Sequence, residues 1–200
     1  MTAGTLFTLD GPLCAVETGT ARQTTVCPEC GRGQRTQISD LRVSLVCQPR
    51  HVWLSDGNAV LLDQTAIEAV SRIAAIEGLR FRRVRATWRE DLPWSDRPAP
   101  NLMQLIASSP VSASRQCVEA DGCTCGTVRS ISFTPLIVLD PGSSSNIWHL
   151  AENSEVLVFD SAIRDALVGS DSDLEFLRVW RDGEHITPAP PLGGVNWGDL

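Results

Sequence analysis

Cysteine is the residue type whose spacing in this chain most directly suggests chemistry. Cys27-Pro28-Glu29-Cys30-Gly31 places two thiols about one turn apart and closes the turn with glycine. Cys123-Thr124-Cys125-Gly126 echoes it with one residue between the thiols instead of two. The closing glycine admits a positive φ, so the N–H groups of the turn can face the sulfurs. Two such turns supply the four thiolates of a closed tetrahedral site. Cys27, Cys30, Cys123 and Cys125 are therefore the candidate ligands of one structural zinc ion. Such an ion would add to folding, because the unfolded chain has no preformed site. The alternative is that one or both turns hold no metal and the thiols are simply buried. Cys117 is a possible substitute ligand, while Cys14 and Cys47 lie in apolar runs and are expected in the core. A redox Cys-x-x-Cys opens a helix, and here Gly31-Arg32-Gly33 follows at once, which argues against that use.

Little else in the chain marks catalysis. His51 and His149 sit beside Trp53 and Trp148, and His185 lies near the C-terminal end. No Gly-x-Ser-x-Gly, phosphate-binding loop or dinucleotide glycine fingerprint accompanies them. The expectation is a protein that is not an enzyme, with no catalytic residues and no cofactor-binding residues beyond the metal ligands.

Composition narrows the class. The chain has 200 residues, 42% of them hydrophobic, and a formal net charge of −7. Mean hydropathy is −0.02 and the pI about 4.9. No run of 18 apolar residues occurs and the N-terminus lacks a basic and apolar leader, so neither a membrane span nor a signal peptide is expected, and the expected location is the cytoplasm. Seven cysteines in a reducing compartment favour metal binding or burial over disulfides. An acidic chain lacks the field a general nucleic-acid binder needs.

The elements that must position the cysteines form an internal repeat. At an offset of 95, Cys30-Gly31 matches Cys125-Gly126, Val43 matches Val138, Trp53 matches Trp148 and Asn58 matches Asn153. At the same offset Leu79, Phe81 and Val84 match Leu174, Phe176 and Val179. Between these anchors a slip of one residue aligns Val60-Leu61 with Val156-Leu157 and Ala66-Ile67 with Ala162-Ile163. In the first unit, strands are expected at 20–26, 37–47, 51–54, 59–62 and 79–84, with a helix over 64–76 capped by Asp63 and stopped by Gly78. In the second, strands are expected at 132–139, 147–150, 156–159 and 174–180, with a helix from Asp160 or Ser161 to Val168. The expected fold is α+β: two duplicated β-β-α-β units whose paired Cys-Gly turns meet in a zinc-ribbon-like junction. The expected divisions are 1–100, 101–183 and a Pro/Gly-rich tail at 184–200. Residues 1–16 read as an N-terminal strand pair, and 89–110 as a connector with a short apolar patch at Leu102–Ile106.

The paired Cys-Gly turns stand with Ile147-Trp148-His149-Leu150, Val156-Leu157-Val158-Phe159-Asp160 and Leu174-Glu175-Phe176-Leu177-Arg178-Val179. Together they resemble the double-CXXCG motif family of bacterial immunity proteins. The resemblance covers about residues 20–90 and 117–182, with a full match at Cys27–Gly31. The second turn departs from it, Gly122 standing in strict register where the first cysteine should be. The resemblance implies an immunity protein that neutralises a cognate polymorphic toxin by stoichiometric occlusion. A zinc-stabilised adaptor or regulatory protein-binding module is the second reading. The implied partner is a cognate protein toxin such as a basic nuclease-like domain, with neither nucleic acid nor membrane.

Candidate contact surfaces follow. Trp53 and Trp148 occupy equivalent positions, which favours core packing over a role as partner anchors, whereas Trp88 and Trp94 flank a connector and are the better candidates for exposed aromatic contacts. Arg80, Arg82, Arg83, Arg85 and Arg89 form the one basic cluster, expected as a solvated strand. Asp160, Asp165, Asp171, Asp173, Glu175, Asp182 and Glu184 could present an acidic face to a basic toxin.

Overall fold

Period-two alternation along the strands divides their side chains between separate cores, and the elements follow from that. The computed structural model describes residues 5–186 apart from 12, 32, 74–78, 120–122, 124, 126–129, 133–134, 142–144 and 172. In chain order the first half holds β1 (Leu6–Asp10), β2 (Ala15–Glu17), β3 (Arg22–Val26), β4 (Gly33–Gln37), β5 (Leu41–Leu45), β6 (Val52–Leu54), β7 (Val60–Leu62), α1 (Gln64–Ser71) and β8 (Leu79–Trp88). The second half holds β9 (Met103–Ala107), β10 (Pro110–Val111), β11 (Val118–Glu119), β12 (Ser130–Ile131), β13 (Leu136–Val138), β14 (Ile147–Leu150), β15 (Asn153–Asp160), α2 (Ser161–Ser170) and β16 (Glu175–Arg181). The class is α+β, as expected.

Two six-stranded sheets carry the molecule. One runs β2-β5-β8-β9-β7-β6 and the other β10-β14-β15-β1-β16-β13. Both contain a parallel pair followed by three antiparallel steps. β5 and β8 are parallel with Leu41 opposite Val84, and β13 and β16 are parallel with Leu136 opposite Val179. In each sheet one short segment reaches both edges. Ala15 pairs antiparallel with Leu45 and bridges Ser55 in parallel; Val111 pairs parallel with Leu150, and Ala113 bridges Val138 antiparallel. Each sheet thereby closes on itself, so its edges are paired rather than open.

The units expected at 1–100 and 101–183 exchange a strand. β1 lies between β15 and β16 of the second sheet, and β9 lies between β8 and β7 of the first. The N-terminal stretch is therefore not a strand pair: β1 pairs with β15 and β16, and β2 with β5. The expected apolar patch at Leu102–Ile106 is a core strand, with Leu102 and Leu105 both 2% exposed.

Three apolar clusters result. Trp53, Leu61, Val84 and Leu45 fill the first closed sheet. Trp148, Val158, Leu136 and Val179 fill the second. Between them Val52, Leu62, Val70, Ile147, Phe159 and Leu167 form a central cluster that includes both helices. β6, β7 and β13 are buried at every residue, and β6, β7, β14 and β15 send alternate side chains to a sheet interior and to the central cluster.

Each helix begins at an aspartate that follows a buried strand. Asp63 Oδ1 accepts from Ala66 N–H and Asp160 Oδ1 from Ile163 N–H, both at 3.0 Å. Asp160, not Ser161, is thus the second cap. Equivalent caps put Ala66 opposite Ile163 and Val70 opposite Leu167 in the two helices, so the slip between the tryptophan strands and the helices is two residues rather than one. α1 stops at Ser71 with Arg72 as its C-cap, short of the end expected at residue 76. Gly78 lies outside the described residues, as do Gly122, Gly126, most of the 141–145 loop and Trp197 in the tail. Among the described residues no helix is long and apolar enough to cross a membrane.

Candidate metal centre

The four cysteines sit at the tips of two small ribbons outside the closed sheets. β3 and β4 pair antiparallel from Arg22 opposite Gln37 to Val26 opposite Gly33, and Cys27–Gly31 forms the turn. Gly31 has φ +69° and donates its N–H to Cys27 O at 2.9 Å, the turn geometry that its position behind two cysteines implies. Gly33 is held to glycine by a different cause. A Cβ there would meet Thr24 Cγ2 at 2.7 Å across the ribbon. The second ribbon pairs β11 with β12, Val118 opposite Ile131, and Cys123 and Cys125 lie between them.

Polar anchors hold each ribbon at its root. Arg22 Nη2 bridges Glu17 Oε2 at 2.5 Å and Glu155 Oε1 at 3.0 Å, which ties the first ribbon to β2 of one sheet and β15 of the other. Ala21 N–H donates to Ser39 Oγ at 3.0 Å, and Arg42 N–H to Thr20 Oγ1 at 3.0 Å. At the second root Ser132 N–H donates to Cys117 O at 2.7 Å and Ser130 Oγ to Glu119 Oε2 at 3.0 Å. Cys117 is buried; its thiol donates to Pro135 O at 3.3 Å and accepts from Ile137 N–H at 3.2 Å. It pins the ribbon root and takes no part in the cluster, so it does not substitute for a ligand.

The tips meet. Cys27 Sγ lies 3.6 Å from Cys123 Sγ, and Cys30 Sγ 3.6 Å from Cys125 Sγ. All four sulfurs fall within 4.8 Å of one another. A tetrahedral ion with metal–sulfur bonds of about 2.3 Å separates its sulfurs by about 3.8 Å. The four cysteines lie close together and could hold a metal ion. The shorter Cys-x-Cys spacing does not keep the second pair from converging with the first.

The local field acts in opposite directions on two of the thiols. Backbone N–H groups of Cys30 and Glu29 face Cys27 Sγ and hold its thiol below the usual range. Cys123 faces the N–H of Cys125, yet the thiols of Cys125, Cys27 and Cys30 crowd it and raise it, as expected where four sulfurs compete for few protons. A metal cation resolves that competition by favouring all four thiolates. Cys125 is exposed and the other three are partly buried.

The remaining candidate residues are dispersed. His51 Nδ1 lies 2.8 Å from the cap carboxylate Asp63 Oδ2, and His149 Nδ1 lies 2.9 Å from Ala107 O. Trp53 and Trp148 are core residues at 1% and 4% exposure, as their repetition implies. Trp88 and Trp94 are not exposed contacts. Trp88 is 8% exposed, the two rings meet edge to face at 6.3 Å, and both pack on the first-sheet core. The connector folds back over the sheet, which its proline content conceals. Arg80, Arg82, Arg83 and Arg85 are all exposed, Arg85 pairing with Asp40 at 3.5 Å. The acidic set is largely engaged within the chain. Asp160 caps α2, Asp171 pairs with Arg50, Asp182 accepts from Ser114 Oγ and Glu184 pairs with Arg178. Asp173 and Glu175 are exposed.

Sequence reasoning placed Cys14 and Cys47 simply in the core, and missed their partner. Arg50 Nη1 donates to Cys14 Sγ at 3.2 Å. Only the proximity of Arg50 to Cys47 in the chain hinted at it. Comparison with models of known protein families and with curated proteins finds no match for this chain.

Proposed function

We propose that this chain is a zinc-stabilised protein-binding module, and that it acts as an immunity protein occluding a cognate polymorphic bacterial toxin. The observation that carries the first half is the convergence of four thiols from two ribbon tips. Four protein ligands complete a tetrahedral zinc and leave no position for substrate, so the ion is structural and joins the ribbons rather than performing turnover. Cys27, Cys30, Cys123 and Cys125 hold it in a zinc-ribbon-like junction. The matching neighbour order of the two sheets, the equal registers of Leu41–Val84 and Leu136–Val179, and the paired aspartate caps support descent from two duplicated β-β-α-β units. The toxin as partner rests on the resemblance of the cysteine turns and the Trp148 to Val179 pattern to the double-CXXCG immunity proteins. In this reading the chain is not an enzyme; it works in the cytoplasm, by association with one protein.

Affinity purification from the native cells, with the mass of the complex and identification of what co-elutes, tests this. A single stoichiometric partner that kills cells when expressed alone, and is tolerated when this chain is co-expressed, is the expected result. A partner harmless by itself would replace immunity with an adaptor role. A clean monomer would overturn both, and a metal assay on that same monomer would show separately whether the zinc junction stands.

A further inference from the structure

A second cysteine pair lies far from the ribbon tips. A cleft at the end of α2 is lined by Leu13, Cys14, Cys47, Arg50, Ser170 and Asp171. Cys14 sits on the segment that closes the first sheet. Its N–H donates to Leu54 O and its carbonyl accepts from Val46 N–H, both at 2.9 Å. That pairing puts it one residue from the position opposite Cys47, and both belong to the same apolar cluster.

Arg50 makes this pair unlike ordinary core cysteines. Its Nε and Nη2 grip Asp171 Oδ2 and Oδ1 at 2.8 and 3.1 Å, and the two side chains are only 13% and 9% exposed. The bidentate grip fixes the plane of the guanidinium, and the remaining Nη1 reaches Cys14 Sγ at 3.2 Å. A neutral core thiol has no need of a buried cation; a thiolate does. The Cys47 thiol, which donates to Gln48 O at 3.3 Å, lines the same cleft and also acts on this sulfur. Together with Arg50, and against the opposing effect of burial, it lowers the Cys14 thiol to about 6. Cys47 is raised by the same neighbour and by burial, so the two thiols shift in opposite directions.

We propose that Cys14 and Cys47 form a peroxide-reactive pair opening on this cleft, with Cys14 as attacking thiolate, Cys47 as resolving thiol and Arg50 as the positioning residue. The Cys14 sulfur attacks one oxygen of hydrogen peroxide and the O–O bond breaks. The departing hydroxide takes a proton to become water, leaving a sulfenic acid on Cys14. The Cys47 sulfur then attacks the Cys14 sulfur, the S–O bond breaks, and the hydroxyl leaves as water with the Cys47 proton. Two thiols lose two electrons and one peroxide becomes two waters. The product disulfide staples the closing segment of the first sheet to the chain just past β5.

The test uses the reduced full chain with added zinc, treated with hydrogen peroxide, alkylated and peptide-mapped. Buried Cys117, whose partners are neutral, is the internal control. A Cys14–Cys47 linked peptide lacking two hydrogens, formed well before Cys117 loses its alkylation, is expected. Cys47→Ser should stop at a Cys14 sulfenic acid that a cyclic dione captures. Arg50→Ala should slow the reaction by roughly tenfold, since lost thiolate is partly offset by higher intrinsic nucleophilicity. If Arg50→Ala does not fold, the mapping of the unaltered chain decides alone. Oxidation of Cys14 no faster than Cys117, or linkage confined to the four ribbon cysteines, would overturn the proposal.

Discussion

The two-stranded ribbons and the six-stranded sheets use the same backbone pairing, yet the ribbons bury little while several strands of the sheets are buried along their whole length. No residue of β3 is buried, and neither residue of β11 or β12 is. Val26 is 58% exposed at the tip of the first ribbon and Ile38 62% exposed beyond its root. In β6, β7 and β13 every side chain is buried. An isolated two-stranded ribbon is marginal in water, whereas a sheet with both faces covered is held by apolar burial. The ribbons therefore depend on what happens at their tips and roots, and the sheets do not. Cysteines serve both regions differently: converging at the ribbon tips, isolated as the pin Cys117 at one root, and paired beside a cation at the closing segment of the first sheet.

The sharpest way to break this comparison is to remove the tip interaction. A structural zinc in a small site contributes on the order of 10 kcal/mol to the segment it organises. Chelation or Cys27→Ser should abolish amide protection in both ribbons together while protection in β7, β9 and β15 persists. Hydrogen exchange reads both at once. Loss of protection throughout the chain would show that the sheets also rely on the junction.

The converse change strikes the shared core. Phe159 is fully buried in the central cluster and meets Phe176 edge to face at 6.2 Å. Phe159→Ala should destabilise the fold by about 3–5 kcal/mol in denaturant unfolding. It should leave metal stoichiometry at the ribbon tips unchanged.

A third change tests the tie between the Cys47–His51 loop and the end of α2. Burial would raise the Asp171 carboxyl, but its bidentate bonds to Arg50 outweigh that and hold it below the ordinary value of 3.8. The pair's contribution is therefore fully present above that value and is lost as pH falls through the lower folded one. Asp171→Asn should flatten the stability profile in that acid window. Arg50→Ala should cost about 3 kcal/mol near neutrality, since it strands a nearly buried carboxylate.

The smallest effect is also the most symmetrical. Asp63→Ala and Asp160→Ala each remove one cap bond at a helix start and should each cost about 1 kcal/mol in chemical denaturation. Equal losses are expected because both caps make the same 3.0 Å bond to the third helical residue. A marked inequality would show that the second partners of the two carboxylates, His51 at Asp63 and Asn146 at Asp160, contribute unequally.

Much of this architecture was legible locally. The buried strands at Val52–Leu54, Val60–Leu62 and Ile147–Leu150, the aspartate caps and the final strand all follow from apolar patterning and cap residues within a few positions. The exchange of β1 and β9 was not, because β1 pairs with strands near the far end of the chain and β9 with strands beyond the connector, and neither pairing leaves a short-range trace. Leu102–Ile106 looked like a patch in a connector since its partners, β7 and β8, lie elsewhere in the chain. Trp88 looked exposed for the same reason, proline-rich flanks hiding a segment that folds back on Leu102 and Val84. At the candidate metal centre residue types and spacing named all four cysteines, and their convergence required the geometry.

By itself, then, the sequence determined what each segment can be: which faces are apolar, where helices start, where glycine permits a turn behind two thiols. Those properties depend on neighbours within one or two turns. Tertiary structure alone decided which segments meet. It closed the sheets through Ala15 and Ala113, brought the sulfurs of two distant ribbons within 4.8 Å, and set Arg50 between Cys14 and Asp171. Such contacts arise from the simultaneous burial of many side chains, and no local pattern encodes them.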